Sequence, residues 1–153
     1  MKLRVLWVGK TQEEWVRRGI DEYAGRIRRY LPLEFGEVRE EKGAEAEHGR
    51  EAEGARLLKA VPKTARLIIL DERGEEMTSL QLAAFIGRER DQGTGELVFA
   101  VGGAYGFSEA FRGRAAKTLA LSRLTFTHQM MRVFLLEQIY RGFTILNNEP
   151  YHH

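Results

Sequence analysis

Short apolar runs alternate with stretches of helical spacing along the whole chain. Residues 2–9 are an apolar run ending in glycine, the pattern of a buried strand. Thr11-Gln12-Glu13-Glu14 predicts a capping box, with Thr11 holding the backbone and Glu14 reaching back. Val16, Ile20, Tyr23, Ile27 and Tyr30 follow at helical spacing, and Pro32 stops that helix. Residues 33–38 predict a second, weaker strand. The polar, glutamate-rich residues 40–49 predict a mobile loop leading into a helix over 51–61. That helix would turn Ala52, Ala55, Leu58 and Val61 inward, and Pro62 would end it.

Residues 65–70 run continuously apolar, which predicts a third strand buried on both faces of a parallel sheet. The loop after it, Leu70-Asp71-Glu72-Arg73-Gly74, is a site candidate, because ligands of open α/β sheets sit at the carboxyl ends of strands. Thr78-Ser79-Leu80-Gln81 is a second capping box, and Leu82, Phe85 and Ile86 give its helix an inner face. A turn at 92–95 leads to a fourth strand over 96–101. Ser108 opens a short helix, and residues 118–121 suggest a fifth strand. A long helix from about Thr127 to Leu146 closes the pattern, with Met131, Phe134, Leu135, Gln138, Ile139 and Gly142 along one side. Strands alternating with helices imply one α/β domain, residues 1–153, with a mainly parallel sheet.

Charge sharpens this picture. Residues 37–54 hold seven acids and three bases, whereas residues 111–153 hold six bases and two acids. A basic final third suits an anionic partner such as RNA, and arginine, which far outnumbers lysine here, makes bidentate phosphate contacts. The first helix also carries Arg17, Arg18, Arg26, Arg28 and Arg29, read mainly as a solvated face. With no cysteine, neither a disulfide nor a thiolate metal site can form. The N-terminus lacks a secretory pattern and no apolar run approaches ~18–20 residues, so a cytoplasmic protein without a membrane segment is expected.

The chemistry-bearing residues concentrate in the last third. Gly102-Gly103-x-x-Gly106 after a strand lets backbone groups approach a ligand, although its spacing is neither that of a dinucleotide fingerprint nor of a P-loop. Ser108 and Ser122 lack a nucleophile elbow. His128 has no second ligand at helical spacing, and His152-His153 alone are too few, so no metal site is expected. His128 and Arg132 stand at i, i+4, with Tyr140 and Arg141 two to three turns on; together they read as donors facing phosphate or as ordinary helix-surface groups.

KLRVLWVGK, LDERG, VGGAYGFS, LSRLTFTHQMMRVFLLEQIYRGFTI and PYHH resemble, over essentially the whole length, the RlmH family of SPOUT-class RNA methyltransferases. The resemblance implies a parallel α/β sheet flanked by helices with a C-terminal trefoil knot, a feature no residue pattern reveals. It implies a homodimer whose two cofactor sites border the interface. The implied reaction moves a methyl group from S-adenosylmethionine to N3 of a pseudouridine in 23S rRNA of the assembled 70S ribosome. Carried over by position, the cofactor pocket would use Leu70, Gly102, Gly103, Leu121, Ser122, Arg123, Leu124, Thr125 and Phe126. His128, Arg132, Tyr151 and His152 are the catalytic candidates, and Arg132, Tyr140, Arg141 and His153 the RNA-binding ones. His153 departs from the family pattern, which usually ends in a basic residue after the PYH motif. Two other readings stay open: a SPOUT enzyme acting on tRNA, and a non-catalytic ribosome- or RNA-binding module.

Overall fold

Five strands form where the sequence runs apolar: β1 (Lys2–Val8), β2 (Leu33–Val38), β3 (Arg66–Glu76), β4 (Glu96–Val101) and β5 (Lys117–Ala120). The structure, a computed structural model, describes residues 1–153. The strands make one sheet in the order β2-β1-β4-β3-β5, and every neighbouring pair is parallel. Five helices connect and follow them: α1 (Glu14–Ile27), α2 (Ala46–Ala60), α3 (Ser79–Asp91), α4 (Glu109–Arg114) and α5 (His128–Leu146).

Alternation along the strands builds two cores. Leu3, Val5 and Trp7 of β1 join Leu97, Phe99 and Val101 of β4 under α1, α3 and α5. Leu6 and Val8 join Val98 and Ala100 on the opposite face, under α2 and α4. Buried on both faces, the central strands read as continuous apolar runs.

Several local expectations are corrected. Thr11 does not cap α1; Glu13 occupies the cap position without a side-chain bond, and the Thr11 hydroxyl accepts from Arg132 instead. The regular part of α1 ends at Ile27, so Tyr30 lies in the following turn. Helix α2 starts five residues earlier than the pattern suggested, at Ala46. Its inward face is Gly49, Glu53, Gly54 and Leu57, about one residue's rotation from the alanines expected there. The small residues are inside because α2 rests closely on the segment before α4. The LDERG segment is not a free loop but an irregularity within β3: Leu70 pairs with Leu119, and so does Glu75. Residues 71–74 bulge between these two pairings. In α5 the buried set is Arg132, Leu135, Leu136, Ile139, Gly142, Phe143 and Thr144, while Phe134 is 37% exposed.

The Thr78 capping box is present, with Gln81 N–H donating to the Thr78 hydroxyl at 3.1 Å and Thr78 N–H to the Gln81 side chain at 2.8 Å. Ser108 and Thr127 likewise cap α4 and α5. From the edge strand β5 the chain crosses back above the carboxyl ends of the strands. It reaches β1, where Gln129 accepts from Gln12 N–H at 2.9 Å, and α5 then packs on α1 and α3.

Candidate active site

The β3 bulge and the carboxyl ends of β4 and β5 open onto a single cleft of about 550 Å³. Such a volume falls within the range of ~300–1,000 Å³ common for small-molecule sites. Leu70, Gly102, Gly103, Leu121, Ser122, Leu124, Thr125 and Phe126 line it together, with His128 and Met131 at the start of α5. Arg123 points away: its side chain is 85% exposed and pairs with Glu76.

Two loops shape the cleft. At Gly103 a Cβ would stand 3.0 Å from Glu53 Oε1 and 3.1 Å from Val8, and at Gly102 one would meet the Phe107 ring at 3.3 Å. A side chain at either position would press on these neighbours, so glycine lets the loop pack closely there. Gly106 turns the loop with φ +77°, which favours glycine. In the second loop the Ser122 hydroxyl accepts from Leu124 N–H at 3.0 Å, and Thr125 donates to Glu72 at 2.7 Å, tying it to the β3 bulge. Phe126 meets Phe134 edge-on at 5.0 Å between centroids.

Asp71 organises the charge on the β3 side. It accepts from Arg112 at 2.6 Å, from Arg73 N–H at 2.8 Å and from the Arg73 side chain at 3.3 and 3.4 Å. Burial opposes its ionisation, yet these donors prevail and hold its carboxyl down to about 2. His128 is shifted the other way for a base. Although His128 is solvent-exposed, partial desolvation against the cleft wall and then the positive charge of Arg132 lower its pKa and favour the neutral imidazole at pH 7.

The expected row of donors on α5 does not form. Arg132 and Arg141 are nine residues apart, half a turn out of phase on a helix. Arg132 points into the core, 1% exposed. It donates to Val8 O at 2.7 Å, Gly9 O at 3.0 Å and Thr11 Oγ1 at 2.8 Å, and lies 4.7 Å over the Trp7 ring. Burial lowers its pKa to about 10, opposed by Glu37 and Glu40. This arginine locks the start of α5 to the end of β1 and has no route to RNA phosphate.

Arg141 is engaged in the tail. It donates to Glu137 through Nε at 3.1 Å and Nη2 at 2.6 Å, contacts His152 Nδ1 at 3.2 Å and stacks over Tyr151. The Tyr151 hydroxyl donates to Glu137 at 3.0 Å, and its ring meets Tyr140 edge-on at 4.7 Å. Burial, with hydrogen bonds to Tyr23 and Glu137, raises the Tyr151 pKa. His153 is exposed. Glu137 lies nine residues beyond His128, about 13 Å along the helix. The structure thus brings His128 to the cleft and keeps Tyr151 and His152 away from it within one chain.

A second groove of about 480 Å³ adjoins the cleft and shares Leu121, Ser122, Phe126 and Met131 with it. Met77, Leu82, Leu119 and Phe134 make its floor apolar, and Glu137 and Arg141 stand at its rim. No helix is long and apolar enough to cross a membrane. Sequence reasoning missed Arg112 and Arg50, which also line the cleft. The only signal for Arg112 was Asp71 in the Leu70–Gly74 site candidate, and nothing in the sequence pointed to Arg50.

A family model described as "Predicted SPOUT methyltransferase" matches residues 1–152. A protein of Geotalea uraniireducens named ribosomal RNA large subunit methyltransferase H is 72% identical over 153 residues, covering 100% of both chains. Proteins of the same name from Geobacter sulfurreducens and Geobacter metallireducens are each 70% identical over 153 residues. This chain is covered in full by both, and they are covered to 100% and 99% respectively.

Proposed function

We propose, for a chain that belongs to the SPOUT methyltransferase family, transfer of a methyl group from S-adenosylmethionine to N3 of a pseudouridine in 23S rRNA of the assembled 70S ribosome. The relatives' names supply the substrate class, large-subunit ribosomal RNA. The observation that carries the reading is the cleft formed by the β3 bulge and the ends of β4 and β5. Its glycine cradle admits a ligand against backbone, and Leu70, Leu121 and Leu124 offer apolar walls beside polar rims. That combination suits a nucleoside bearing an amino-acid chain. Leu70, Gly102, Gly103 and residues 121–126 would hold it, with Arg123 the exception by its outward side chain.

Bound there, S-adenosylmethionine supplies a methyl group already activated on a sulfonium centre. The protein's part is to align the acceptor nitrogen and to receive its proton. His128 suits the proton transfer, since it lines the cleft and its lowered pKa leaves a free nitrogen lone pair at pH 7. Tyr151 and His152 take part only if the tail reaches a cleft other than its own chain's. The apolar groove bordering the cleft supports such a pairing, a homodimer that sets the tail and Arg141 of one protomer beside its partner's cleft. The return of the chain from β5 to β1 is consistent with the trefoil knot implied by the resemblance. A ribosomal RNA substrate supports a cytoplasmic location.

The test uses ribosomes and separated large subunits from a strain lacking the modification, with mass spectrometry of the rRNA. Methylation of a pseudouridine on assembled ribosomes alone is expected. Transfer to tRNA instead, or none to any RNA despite S-adenosylmethionine binding, would overturn the substrate assignment.

A further inference from the structure

Helix α2 turns one whole face toward the glycine loop of the cleft. Gly49 receives the Tyr105 ring so closely that a Cβ there would lie 2.5 Å from Tyr105 Cε2. Arg50 donates from Nε to Tyr105 O at 3.0 Å, and the Tyr105 hydroxyl donates to Ala44 O at 3.4 Å. One turn on, Glu53 lies under Gly103, and Gly54 meets Ser108. Arg50 is thereby fixed in the cleft wall by its own Nε, with Nη1 and Nη2 left without a partner in the chain.

The charge state of the cleft makes this position informative. Three arginines line it: Arg50, Arg73 and Arg112. Asp71 is ion-paired with both Arg73 and Arg112. Of the other acids there, Glu72 accepts from Thr125, and Arg50 forms an ion pair with none of them. Arg50 is thus the one cleft arginine that has no carboxylate partner. A guanidinium with two free nitrogens, pre-oriented by its third, presents the fork that recognises a carboxylate.

We infer that Arg50 is the anion-binding residue of the cleft and that its ligand is the α-carboxylate of the methyl donor's amino-acid chain. The inference rests on the proposed cofactor. The carboxylate is favoured over an RNA phosphate because Arg50 sits on the glycine-loop wall, tied to the loop that cradles the ligand. Arg50 then both positions that loop and reads one end of the ligand.

Calorimetric titration of S-adenosylhomocysteine and of its methyl ester separates these roles, because the ester keeps the amino group and adds only one methyl while losing the negative charge. Wild type is expected to bind the acid roughly tenfold or more tighter than the ester, the size of one charge-assisted hydrogen-bonded pair. Arg50→Gln keeps a donor for Tyr105 O while removing the charge. It should weaken the acid by that factor and leave the ester unchanged. Arg50→Lys, checked alongside by circular dichroism, should retain part of the preference for the acid, and its complete loss there counts against the inference. Equal weakening of both ligands by Arg50→Gln would reduce Arg50 to a loop tether and overturn it. So would unchanged binding of both, or an effect confined to the KM for ribosomes. Failure of wild type to bind either ligand would instead remove the cofactor reading itself.

Discussion

Replacing Arg132 by Met separates a structural arginine from an RNA-binding one. The substitution leaves Val8 O and Gly9 O, buried at the end of β1, without their donor. Each orphaned carbonyl costs about 1–3 kcal/mol, or about 4 kcal/mol for the pair at the middle of that range. Losing the guanidinium over Trp7 adds about 1–2 kcal/mol. Against this stands relief from burying a charge. The pKa falls from 12.5 to about 10, and at ~1.36 kcal/mol per unit the relief is about 3 kcal/mol. The balance is a destabilisation of about 2–3 kcal/mol at pH 7. With a urea slope of about 2 kcal/mol/M, the midpoint should fall by about 1–1.5 M. Urea titration followed by far-ultraviolet circular dichroism measures this, with the slope expected unchanged. A midpoint within about 0.3 M of wild type, accompanied by weaker ribosome binding, would refute the reasoning, since it would mean that the guanidinium reaches RNA.

Two glycine substitutions should act in opposite directions in thermal melts. Gly25→Ala, exposed in α1 with no atom near its would-be Cβ, should stabilise by up to about 1 kcal/mol through helix propensity. Gly54→Ala places a Cβ 2.2 Å from Ser108 Oγ and should destabilise by about 1–3 kcal/mol despite the same propensity gain. The carboxyl of Asp71 is held below its unfolded value of 3.8, at about 2. Its contribution, about 2 kcal/mol, is full above pH 4 and is lost as pH falls toward 2. Asp71→Asn should therefore flatten the acid limb of stability against pH, and an unchanged limb would contradict the ion-pair account. His128 has a lowered pKa, so the rate of methyl transfer should fall only below the usual histidine range. His128→Gln should abolish that limb and reduce turnover; a profile identical to wild type would exclude His128 as proton acceptor.

Periodicity alone determined the order and type of the elements, because burial on two faces and helical spacing are written into each segment separately. The fourth strand, Glu96–Val101, was legible for this reason, and the Thr78 capping box and the helix starts at Ser108 and Thr127 from their local residue pattern. The strand-end rule also pointed to the Leu70–Gly74 side of the cleft before any packing was known, while the family resemblance supplied Gly102, Gly103 and residues 121–126. Thr11 shows where local reasoning stops. Its spacing to Glu14 satisfied a capping pattern, but a partner 121 residues away took its hydroxyl. Arg132 interrupted an apolar helix and looked functional, yet what it satisfies is two carbonyls at the end of β1. The inward face of α2 turned on Gly49 and Gly54, whose value lies in what touches them and not in their own hydrophobicity. The charge pairing of Asp71, and the freedom it leaves to Arg50, are likewise properties of groups remote in sequence and adjacent in space. Sequence encodes which surfaces want burial; only the tertiary structure decides which polar group answers which, because hydrogen bonds and ion pairs depend on distances that no local pattern contains.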